Sequence, residues 1–83
     1  MIEIEGASPA QVDRVMTAIL DVAIALATAT AEFDAVKSDP SRNVAVGRRV
    51  YEADVRFKTV MRELLQKEPT IVAALRSKVS EAQ

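Results

Sequence analysis

From residue 12 to residue 36 the apolar side chains recur alternately three and four positions apart: Val12, Val15, Ile19, Val22, Leu26, Ala29, Phe33 and Val36. After the break at Asp39-Pro40-Ser41 the rhythm returns as Val46, Val50, Ala53, Phe57, Val60 and Leu64. Such spacing gathers a series on one face of an α-helix and scatters it over both faces of a strand, so it selects two long helices. A short break between two such helices makes them antiparallel neighbours joined by a left-handed, coiled-coil-like seam. The predicted fold is all-α: a long helical hairpin followed by a short third helix.

Local signals set the boundaries. Ser8-Pro9-Ala10-Gln11 is a helix start, with Ser8 as cap, Pro9 suited to the first helical position and Gln11 placed to complete a capping box. The first helix is expected over about 9–37. Asp39-Pro40 repeats the cap-then-proline signal, so the second helix is expected over about 41–67, settling as late as Asn43 or Val44. Pro69 removes a backbone donor and clashes with the preceding turn, which ends that helix and starts a third over about 69–80, with Ile71, Val72, Leu75 and Val79 facing inward. Residues 1–7 alternate Ile and Glu and read as a tail or a short strand, the tail being favoured because no second strand signal exists to pair with. Residues 8–83 then form a single helical domain.

Composition narrows the function. The 83 residues include no cysteine and no histidine, which excludes disulfides, a Cys/His zinc site, a thiol nucleophile and an imidazole base. The two glycines, Gly6 and Gly47, are too far apart for a phosphate-cradling loop. No catalytic residue, cofactor, metal or small-molecule substrate is expected. Net charge is −1, yet residues 1–39 carry −5 and the remainder +4, opposite signs that favour the hairpin over mispaired alternatives. With so small a net charge, and with Phe33, Tyr51 and Phe57 read as core or core-edge, nucleic acid is not an expected partner. The start of the chain lacks the pattern of a secretory signal, and the apolar run over 15–31 falls short of the roughly 20 residues of a membrane span, so no membrane contact and a cytoplasmic location are expected.

The first helix is apolar on more than one side. At 100° per residue, Met16, Leu20, Ile24, Ala27 and Ala31 form a second stripe about 140° from the main one. One amphipathic neighbour cannot cover both, and the third helix is too short to cover the second. A chain of this size also buries only about 60% of its unfolded surface, which makes a partner welcome. The second stripe is therefore the expected dimer or partner interface, its simplest product a two-fold homodimer with a four-helix-bundle-like core. Arg49, Asp54 and Arg56 are candidate partner-reading polar residues. For Asp54 an ordinary pair with Lys58 is the competing reading; for the arginines it is a solvated mixed-charge face.

The function expected from these features is that of a non-enzymatic adaptor, regulator or inhibitor, acting as a helical homodimer on an unidentified protein. The alternative is a structural subunit of a larger assembly, secretion-needle-like or phage-like, and the third is a small helical enzyme of mutase type. Asp39-Pro40-Ser41-Arg42-Asn43 resembles the turn of type III secretion needle hairpins over those five residues alone. Asn43 stands where such turns often carry a second proline, and the C-terminal part is highly charged rather than apolar. Nothing beyond the turn is carried over from that resemblance.

Overall fold

A computed structural model describes residues 3–82 and contains three helices, α1 (Pro9–Val36), α2 (Asn43–Lys67) and α3 (Pro69–Ala82). The fold is all-α. At 1.5 Å per residue α1 is about 42 Å long and α3 about 21 Å, so α3 can flank only half of the hairpin. The molecule measures 51 × 26 × 17 Å, and its thinnest dimension is less than two helix diameters. Most helix surface therefore has water on at least one side.

The capping box at the start of α1 forms as expected: the Gln11 amide donates to Ser8 Oγ at 3.2 Å and the Ser8 amide donates to Gln11 Oε1 at 2.8 Å. The second start is displaced. Asp39 Oδ1 accepts from the Ser41 amide at 3.0 Å and from Ser41 Oγ at 2.6 Å, while the Asp39 carbonyl accepts from the amides of Arg42 and Asn43. Asp39 thus caps a separate turn over 39–42, and α2 begins at Asn43 rather than at residue 41. Asn43 works backwards as well, donating from Nδ2 to the Lys37 carbonyl at 3.1 Å and satisfying one of the carbonyls left open at the end of α1.

The core is concentrated at the end of the hairpin remote from this turn. Val12 and Val15 of α1, Ile71 of α3 and Ile4 are buried together, with Met16, Ile19, Leu64, Val72 and Leu75 packed around them. Ile4 departs from the expected tail or strand. The Ala7 amide donates to the Ile4 carbonyl, and Gly6 adopts a φ of +83°, which L-residues rarely adopt. That reversal turns Ile4 in against the start of α1 and the start of α3. Residues 1 and 2 lie outside the described residues. Toward the turn, burial thins to Val22, Val36 and Val46, with Leu26, Phe33, Val50 and Phe57 half-buried along the seam.

Candidate interaction surface

The two flanks of the hairpin have opposite chemistry. On one, Arg56 Nη2 lies 3.0 Å from Asp21 Oδ2 and Arg49 Nη1 lies 3.3 Å from Glu32 Oε2, so the basic second helix clasps the acidic first one at two points. Part of the polarity of the two halves of the sequence is used here, within the chain. Arg49 and Arg56, singled out as partner-reading residues, are engaged in these pairs, and Asp54 lies 2.9 Å from Lys58 Nζ, as the competing reading had it. All three pairs are at least partly exposed to water, and pairs of this kind contribute about 0–1 kcal/mol each; the two that join α1 to α2 bear on the register of the hairpin, while Asp54–Lys58 lies within α2.

The other flank is apolar. α3 leans over it near the start of α1 and leaves a groove of about 660 Å³ walled by Met16, Ile19, Leu20, Met61, Leu65, Leu75 and Val79. Arg76 and Lys78 stand at its rim. Val79, expected to face inward, lines this groove and is exposed in it.

Beyond α3 the second stripe of α1 is bare. Leu20 is 53% exposed and Ile24 61%, while Ala27 and Ala31 are also open and only Met16 is half-covered. Fully burying a leucine or isoleucine is worth about 1.5–3 kcal/mol, so two such side chains in water mid-helix are a standing source of association energy. α1 is also long and apolar enough to cross a membrane by length and composition, and only 17% of its most apolar 18-residue window is buried. This corrects the expectation that the run is too short. Asp21 lies on this helix and is held by Arg56, a pair that insertion into lipid would have to break.

A further bare strip was missed from the sequence. On α2, Val44 is 70% exposed, Tyr51 68% and Val55 43%, all on the side away from α1. Tyr51 is not a core-edge residue. The signal is present in the seven-then-four spacing of these residues, but it is weaker than the heptad of Val46, Val50, Ala53, Phe57, Val60 and Leu64 on the opposite face. Among the described residues, no three His, Cys, Asp or Glu side chains gather where they could hold a metal ion. Comparison with protein-family models, with curated proteins and with solved structures finds no match for this chain.

Proposed function

We propose that the protein is a small, non-enzymatic binding protein, an adaptor, regulator or inhibitor, that associates with itself through the second stripe of α1. The observation that carries this reading is the exposure of Leu20 and Ile24 in the middle of a 28-residue helix whose other face is already occupied by α2. Exposed apolar surface of this kind marks association sites, and a two-fold homodimer is its simplest outcome.

A second reading, the structural subunit of a larger assembly, is favoured by the strip of Val44, Tyr51 and Val55 on α2. One sticky patch closes a pair, whereas two different patches, one on each helix of the hairpin, allow contacts that continue from copy to copy. Both readings share the α1 stripe, and Ile24→Asp tests it. Sedimentation of the wild-type chain should show mass above one chain, and the variant should remain helical at the mass of a single chain. A folded variant with wild-type mass would refute the stripe as the contact.

A further inference from the structure

We propose that the bare stripe of α1 is covered by the outward strip of α2 from a second copy, in a head-to-tail contact. This rests on the reading of the α1 stripe as an association surface, names its occupant, and takes the continuing assembly of the second reading above in place of the closed two-fold pair. The two strips match in length, in residue size and in charge. Along α1 the exposed series Leu20, Ile24, Ala31 is spaced four then seven residues; along α2 the exposed series Val44, Tyr51, Val55 is spaced seven then four. Set antiparallel in one register, Leu20 meets Val55, Ile24 meets Tyr51 and Ala31 meets Val44. Ala27 falls opposite Arg48, where a small side chain leaves room for the arginine stem to lie along the contact.

The same register brings charges together. Asp13, on the stripe of α1, falls opposite Arg62, on the strip of α2, and Asp34 falls within one residue of Arg42. None of these four joins an ion pair within the chain among the described residues. A parallel arrangement that aligns the strips sets Ile24 against Arg48 and Ala27 against Tyr51, a poorer match. The antiparallel one also keeps every copy in the same orientation, because α1 and α2 are already antiparallel within a hairpin.

Other occupants fit less well. Two copies of α1 paired about a two-fold axis between Ile24 and Ala27 would set Leu20 against Ala31 and Ile24 against Ala27, but the charges on that face, Asp13 and Asp34, are both acidic and find no opposite charge across the contact, and the α2 strip would stay bare on both copies. An anionic lipid surface would meet Asp13, Asp34 and the acidic character of α1 as a whole. Because the α1 and α2 strips are different surfaces, one on each helix of the hairpin, a contact between them does not saturate. Each copy keeps one free strip, and growth continues.

Complementation between two broken copies tests this. Ile24→Asp spoils the α1 stripe and Tyr51→Asp the α2 strip, both at exposed positions where folding is unaffected, as circular dichroism would verify. Sedimentation velocity over a concentration series should show the wild-type mass rising steadily, each variant alone remaining a single chain, and an equimolar mixture forming a two-chain complex that grows no further. If Tyr51→Asp assembles as the wild type does while Ile24→Asp does not, the stripe is an interface but α2 is not its occupant, which overturns this inference and spares the function proposed above. A wild-type chain that stays single at every concentration overturns both, whether or not it binds lipid vesicles. Asp13→Arg should weaken assembly several-fold at low salt, and adding Arg62→Asp to the same chain should restore it; failure to restore overturns the register.

Discussion

The two ends of the hairpin are built differently. Near the start of α1, three helices and the turn carrying Ile4 enclose a contiguous core of Ile4, Val12, Val15 and Ile71. Toward residues 37–43 there are only two helices, with isolated buried valines, a half-buried seam and a bare apolar strip on the outer side of each helix. The first end has the layers a folded domain needs, whereas the second is a two-helix ribbon with apolar side chains in water, which on the function proposed above completes its burial against another molecule. Stability is thus concentrated at one end of this pair of helices, and the proposed association surface lies mostly along the other.

Substitutions should separate the two ends. The largest effect is expected at Ile71, which is 3% exposed in the enclosed core: Ile71→Ala should cost about 2–5 kcal/mol in urea unfolding and release α3 from the hairpin. A loss of well under 1 kcal/mol would mean that the enclosed end is not the stable one. Gly6→Ala should destabilise by about 1 kcal/mol in the same measurement. Space around Gly6 is open, so the cost comes from its positive φ and the loosening of Ile4.

Effects at the ribbon end should be smaller and of either sign. Gly47 is helical, and a Cβ there would meet the Phe33 ring at 3.4 Å, an ordinary contact, so Gly47→Ala should stabilise by up to about 1 kcal/mol through helix propensity. A destabilised variant would show that the seam at Phe33 is packed more tightly than this geometry allows. Arg56→Ala removes the exposed pair with Asp21 and should change stability by less than about 1 kcal/mol, less still at high salt.

How much of this was legible in the sequence depends on the kind of signal. Periodicity and capping chemistry are local, so the hairpin, the Ser8–Gln11 box and the break at Pro69 could be read directly. Asp39 reads in the sequence as the cap of the second helix and a start as late as Asn43 is allowed for, but the Ser41 contacts that draw the Asp39 carboxylate into a separate turn and leave α2 without a side-chain cap are not legible there. Ile4 was hidden because an Ile-Glu alternation looks like a strand unless the glycine after it is seen to reverse the chain. Arg49 and Arg56 look free for a partner in the sequence because their cross-helix partners, Glu32 and Asp21, are 17 and 35 residues away and depend on the hairpin register. The second stripe of α1 was legible, since an excess of apolar surface on one helix can be counted before any packing is known.

The sharpest test of the contrast between the ends is backbone hydrogen exchange of the wild-type chain in dilute and in concentrated solution. Amides of the ribbon end, in α1 beyond Val22 and in α2 before Phe57, should exchange readily when dilute and become more protected as concentration rises, by mass action on the contact. Those around Val12, Val15 and Ile71 should be protected throughout. Equal, concentration-independent protection at both ends would contradict the account.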